Sequence, residues 1–248
     1  MAMKILVIND DGITSEGIEI LAEFAKTLGE VTVVAPLKEQ SGKSHSIDYR
    51  NTIKIGKYDF LEGVDAYYVN STPADCARFA VMGLKKDYDL VLTGINKGFN
   101  LGNDILYSGT ASSAFEMVAR GCKAIAFSTV YDTFSTAKKW LKPIYDYVVK
   151  NDLLSVCDVY NVNIPSEPIG IKITRKSGFY YKERFEIAEN GEYFQTTDFE
   201  PFHGNDLSVD VDACMNGYVS ITPMTIDRTN TEAFLKLVSL NDEKNRLE

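Results

Sequence analysis

At 248 residues the chain is long enough for one large α/β domain, or for a domain with an elaborate extension, and it has no apolar run of about 18 residues that would span a membrane. Its net charge of −9, from 35 acidic against 26 basic residues, repels polynucleotide backbones and argues against a stable nucleic-acid partner, while a small anion held by local donors or a metal stays compatible. Only two histidines, and four cysteines with no C-x-x-C pair, exclude a three-histidine zinc centre and H-E-x-x-H chemistry, argue against a disulfide framework, and fit a reducing cytosol.

In chain order, residues 5–8 are four consecutive aliphatics, three of them β-branched. They read as a strand buried on both faces, as in a parallel sheet. The run stops at Asn9-Asp10-Asp11-Gly12, and apolar residues at helical spacing follow, with Ser15 as the expected N-cap. Two adjacent carboxylates thus stand where a strand hands over to its helix, the edge at which open α/β sheets bind ligands. One reading is an Asx turn completed by Gly12. That turn needs a single aspartate, and two repel each other by about 1 kcal/mol when partly exposed, so the other reading is a bound cation. With histidine so scarce, its remaining ligands must be mostly oxygen, which suits magnesium, manganese or calcium.

Residues 30–36 give a second buried strand, whose polar loop, 37–46, leaves the same sheet edge and can face the aspartates. Shorter strands are expected at 52–55 and 66–69, and a helix starts near Thr72 and Pro73. A strand at 88–94 leads into a glycine- and asparagine-rich loop, 95–109. Its glycines (Gly94, Gly98, Gly102) recur every fourth residue, matching neither G-x-G-x-x-G nor a Walker A loop. Asn96 follows a strand end as the aspartates do, so it can offer a neutral oxygen. Ser108-Gly109-Thr110 opens a helix at 110–120, stopped by Gly121. It is either an ordinary N-cap or an anion site built from free N–H groups, hydroxyls and the helix dipole. Beside the aspartates, phosphate with a divalent cation is the economical reading, which points to metal-assisted phosphoester hydrolysis.

A strand at 123–128, a helix at 135–150 and a strand at 159–164 continue the alternation. The fold class is therefore α/β, a Rossmann-like, doubly wound, mostly parallel sheet. Past Pro165 the texture changes. Residues 172–191 are rich in aromatic and charged residues and alternate like extended strands or a hairpin; 218–223 read as a strand and 231–238 as a closing helix. We therefore divide the chain into a catalytic core, 1–165, and a C-terminal extension, 166–248, whose aromatic hairpin suits an oligomer interface. Asp210-Val-Asp-Ala-Cys214 has the D-x-D spelling but no buried strand before it, and reads as a solvated turn. His45 reads as a loop hydrogen bonder rather than a general acid.

Taken together, Ile8-Asn-Asp-Asp-Gly-Ile13, Ala35-Pro36 with Gln40-Ser-Gly and His45-Ser46, Thr72-Pro-Ala-Asp-Cys76, Gly94-Ile-Asn-Lys-Gly-Phe-Asn-Leu-Gly102 with Tyr107-Ser-Gly-Thr110, and Gly217-Tyr-Val-Ser-Ile-Thr-Pro223 resemble the SurE (survival protein E) family of 5′/3′-nucleotidases. The motifs cover most of the chain in the family's order. The resemblance implies one divalent ion per subunit, Mg2+ or Mn2+, held by Asp10, Asp11, Ser41 and Asn96, with Asp10 and Asp11 catalytic. It also implies phosphate binding by Asn96, Ser108, Gly109 and Thr110, and release of phosphate from nucleoside monophosphates by a cytoplasmic homodimer or homotetramer assembled through C-terminal extensions. The family's arginine- and tryptophan-containing pattern is poorly kept between Arg175 and Asp212. Thr231 stands where family members often carry a histidine, so the general acid is open. The competing expectations are a phosphatase of short polyphosphate or another small phosphoester, and a non-catalytic nucleotide-binding module on the same fold.

Overall fold

The computed structural model describes residues 2–198, 201 and 203–239. The aliphatic run lies in β1 (Met3–Ile8), whose last four residues are buried. It passes through the acidic turn into α1 (Glu16–Lys26), which follows Ser15 and buries its Ile18, Leu21, Ala22 and Ala25 face. Next come β2 (Gly29–Pro36), β3 (Ile55–Lys57), β4 (Asp65–Val69) and α2 (Pro73–Arg78). Pro73 pre-sets the first turn of α2, and the Thr72 hydroxyl accepts from the Asp75 N–H at 3.2 Å. Then β5 (Leu90–Lys97), α3 (Gly109–Val118), β6 (Ala124–Thr129), α4 (Ser135–Lys150), α5 (Leu153–Val156) and β7 (Val159–Ile164) complete the expected alternation.

Strands from both sides of Pro165 form one sheet. β8 (Gly170–Ile173) precedes a hairpin of β9 (Glu183–Ile187) and β10 (Tyr193–Thr197); α6 (Asp210–Met215), β11 (Tyr218–Met224) and α7 (Thr231–Leu237) follow. The nine-stranded sheet runs β3-β4-β2-β1-β5-β6-β7-β11-β8. From β4 to β7 all pairings are parallel, whereas β3 is antiparallel to β4 and β11 to β7. One apolar layer joins α1 and α4 to one face of the sheet, and a second joins α2 and α3 to the other. The chain therefore winds outward from β1 in one direction and from β5 in the other. Their shared edge is the topological switch point, where such sheets open a crevice beyond their carboxyl ends.

Three expectations are corrected. The strand placed at 52–55 lies at Ile55–Lys57, because the ladder with β4 runs from Ile55 opposite Val69 to Lys57 opposite Tyr67. The hairpin expected within 172–191 spans Glu183–Thr197 and turns at Gly191, whose φ is +79°. Residues 210–214 are not a solvated turn. They lie in helix α6, with Asp210 fully buried, because main-chain N–H groups from three segments replace the water its carboxylate would lose. The 3-10 turn at Gly102–Leu106, within what reads as a loop, is an addition.

Candidate active site

The Asx turn is real. Asn9 is fully buried; its Nδ2 donates to Gly12 O at 3.0 Å and to Ser15 Oγ at 2.7 Å, and its Oδ1 accepts from Gly12 N at 3.2 Å. Gly12, at φ +104°, takes the left-handed conformation the turn needs. That network uses Asn9 and leaves both aspartates unaccounted for.

Asp10 is only 3% exposed. Its Oδ1 accepts from Thr110 Oγ1 at the start of α3, and its main-chain O accepts from Gln40 N at 2.7 Å, fastening the 37–46 loop over the sheet edge. Helix and carboxylate touch. A Cβ on Gly109 would lie 2.7 Å from Asp10 Cβ, 2.9 Å from its Oδ2 and 3.0 Å from Pro73 Cγ. Burial pushes the Asp10 carboxyl above its ordinary range, and the Thr110 hydroxyl offsets part of that. Asp11 is pushed up to about 7, first by burial and then by the Asp10 charge, with the Lys97 main chain pulling the other way. Its Oδ2 is buried with no hydrogen-bond partner.

Beside the aspartates, β5 loses its register with β6 between Thr93 and Asn96, an irregularity of the kind that re-aims side chains at functional edges. The helix beneath comes unusually close, since a Cβ on Gly17 would lie 2.2 Å from Ile95 O. Asn96 Nδ2 donates to Gly98 O at 2.8 Å, which leaves its Oδ1 and its second Nδ2 hydrogen to meet a ligand. Ser41 is exposed and donates to Glu39 Oε1 at 2.7 Å. Glu39, absent from the sequence reading, is a third carboxylate whose charge raises both aspartates. Ser108 caps α3, its Oγ accepting from Ala111 N at 3.0 Å.

The expected residues are therefore brought together unequally. Asp10, Gly109 and Thr110 are in direct contact, Asp11 lies against the main chain next to Asn96, and Ser41 reaches the group through Glu39 and the Gln40 tether. Among the described residues no cluster of three or more His, Cys, Asp or Glu side chains is set to hold a metal. The donor set is instead mixed, two carboxylates with hydroxyl and amide oxygens. Adjacent like charges, one buried and one half-buried, and an orphaned carboxylate oxygen are what a hard divalent cation satisfies, so these residues fit one.

His45 is a loop hydrogen bonder, with Nε2 at 3.0 Å from Glu116 Oε2; Arg78 and Arg120 reach the other oxygen of Glu116 at 3.2 and 2.6 Å. Burial pushes Glu116 up, but His45 and Arg120 outweigh it and hold the carboxyl at about 2. A depressed carboxylate stabilises the fold above its unfolded value of 4.5, and that contribution is lost as pH falls from about 4.5 toward 2. Glu116→Gln is therefore expected to lose on the order of 2 kcal/mol at neutral pH and to flatten the acid limb of a urea-denaturation profile across that window.

The family described as Survival protein SurE matches residues 5–183. A relative from Aquifex aeolicus, named 5′-nucleotidase SurE, is 40% identical over 250 residues, covering 96% of this chain and 98% of its own. Another of that name, from Thermosipho melanesiensis, is 37% identical over 255 residues, covering 98% and 99%. The crystal structure of the Sure protein from Aquifex aeolicus superposes with a TM-score of 0.80 at 38% identity, covering 96% of this chain and all of that one.

Proposed function

The chain belongs to the SurE family, and on that premise we propose that it is a 5′-nucleotidase that releases phosphate from nucleoside 5′-monophosphates, and from 3′-monophosphates as well, with one divalent ion, Mg2+ or Mn2+, per subunit. The observation that carries this reading is the unpaired, buried Asp11 Oδ2 beside Asp10, at the switch point and against the start of α3. A pure phosphate binder gains nothing from two carboxylates there unless a cation stands between them and the phosphate.

In this reading Asp10, Asp11, Ser41 and Asn96 hold the ion. When bound, it supplies Lewis-acid polarisation of a phosphoryl oxygen and acidifies water. The chain's own residues do the positioning. Thr110 locks the Asp10 rotamer; Gly109 leaves room at the positive end of α3 for the phosphate; and the Asn96 amide with the Ser108 hydroxyl and the Gly109 N–H orients its equatorial oxygens. Gly109→Ala should thus push against Asp10 and Pro73 and lower kcat by about 100-fold, the usual effect of an ångström-scale misplacement. Steady-state kinetics, with circular dichroism to verify the fold, would read this directly.

We also propose that the unit after residue 165 serves assembly into a homodimer or homotetramer while residues 1–165 carry catalysis, and that the protein works in the cytoplasm on small nucleotides. The hairpin supports this with exposed Phe185, Ile187, Tyr193 and Phe194. No helix among the described residues is long and apolar enough to cross a membrane. The deciding experiment is phosphate release from 5′- and 3′-mononucleotides and short polyphosphate with EDTA, Mg2+ or Mn2+. Metal-dependent release from mononucleotides supports the proposal; release from polyphosphate alone favours the small-phosphoester reading. No release from folded protein would make it a binding module.

A further inference from the structure

The stretch from Gly98 to Ser108 has no sheet ladder to hold it beyond a single bridge between Gly98 and Thr129, yet it must place the start of α3 against Asp10. Its main chain turns on one residue, since Tyr107 N and Ser108 N both donate to Asp104 O, at 2.9 and 3.1 Å. The Asp104 side chain faces the C-terminal half of the chain. Its Oδ2 accepts from Tyr180 Oη at 2.7 Å and from Tyr181 Oη. Tyr180 is buried with Leu101, Val211 and Cys214 in a small apolar cluster of its own.

Neighbouring contacts join the same two segments. Asn103 N donates to Gly178 O at 3.1 Å, and Lys176 Nζ to Asn103 Oδ1 at 2.5 Å. A Cβ on Gly102 would sit 2.1 Å from Gly178 O, so the two main chains touch. Asp210 closes the arrangement, accepting from Gly102 N at 2.9 Å and Ser177 N at 2.8 Å.

We infer that Asp104, gripped by the Tyr180 and Tyr181 hydroxyls, is a positioning residue for the phosphate loop, through which residues 176–181 set the place of Ser108 and Gly109. This rests on the nucleotidase reading for its substrate, though not for its geometry. The assignment gives a role to residues 176–181, near the end of the stretch that matches the family. It is a role that needs hydroxyls aimed at one carboxylate rather than any particular arginine or tryptophan.

The test compares wild type with Asp104→Ala, the double variant Tyr180→Phe/Tyr181→Phe and the triple variant, by phosphate release from a 5′-mononucleotide with Mn2+ and by calorimetric titration of inorganic phosphate with Mn2+. The control is Thr174→Val, which breaks a buried hydroxyl pair, 2.7 Å, between the residue after β8 and Thr222 within β11, outside the loop. Loosening the loop should lower kcat about tenfold and weaken phosphate binding about tenfold. The triple variant should be no worse than Asp104→Ala, because all three changes act on one contact, and the control should lose Tm alone. Wild-type kcat and phosphate affinity in the double variant, with only Tm reduced, would overturn the inference. If wild type binds phosphate but releases none, the nucleotidase reading fails while the titration still decides the positioning role; if it does neither, both fail.

Discussion

Asp11→Asn should lower kcat/KM by about 1,000-fold or more, because it removes half of the paired charge that would hold the cation, and with it several kcal/mol of transition-state stabilisation. The same change should strengthen the metal-free fold. The Asp11 carboxyl lies at about 7 in the folded chain against 3.8 for an unperturbed aspartate. A raised carboxyl costs stability progressively as pH climbs from the lower value to the higher, and the full cost persists above. Asparagine is free of that cost, so above pH 7 the metal-free variant should exceed wild type by about 2 kcal/mol in urea denaturation. Mn2+ should raise the Tm of wild type and leave the variant unmoved. An active variant, or one whose Tm still responds to Mn2+, would remove Asp11 from the site.

Asp210→Ala carries the largest expected loss of stability. The side chain is fully buried and accepts from Gly102 N, Ser177 N and Val211 N at 2.9, 2.8 and 2.8 Å. Truncation leaves three main-chain donors in an interior that cannot solvate them, at about 1–3 kcal/mol each and about 4 kcal/mol together once the site relaxes. Asp210→Asn keeps one acceptor oxygen and should lose about half as much. Urea denaturation of the three proteins gives the comparison; equal midpoints would show that Asp210 is replaceable.

What local sequence could reveal divides cleanly from what it could not. Ile5 to Ile8 ending on Asn9-Asp10-Asp11-Gly12 contains its whole argument within eight residues: buried strand, tight turn, surplus charge. Thr72-Pro73 and Ser108-Gly109 are equally self-contained helix starts, and both hold. The Asp10–Thr110 hydrogen bond joins residues 100 apart, so nothing near either residue announces it. Glu39 was invisible for a similar reason, since its effect on the aspartates depends on how the 37–46 loop folds back. Asp210 shows the opposite difficulty. Its neighbours are polar, as a surface turn's would be, and only donors from residues 102 and 177 make burial tolerable. The hairpin displacement has a third cause: the pairing partner of Glu183–Ile187 is the strand that begins at Tyr193, past the end of the aromatic stretch, and the turn at Gly191 joins them.

Strand β11 runs against its neighbour β7, pairing Met224 with Val159 at the latter's first residue. The chain therefore leaves the sheet at the edge opposite the aspartates, about 20 Å away across a six-residue strand. From there Met224, Thr225, Ile226 and Arg228 line a cavity with His45, Leu106 and Ser112, so the segment leading to α7, a helix with no buried residue, borders the loop that carries Ser108.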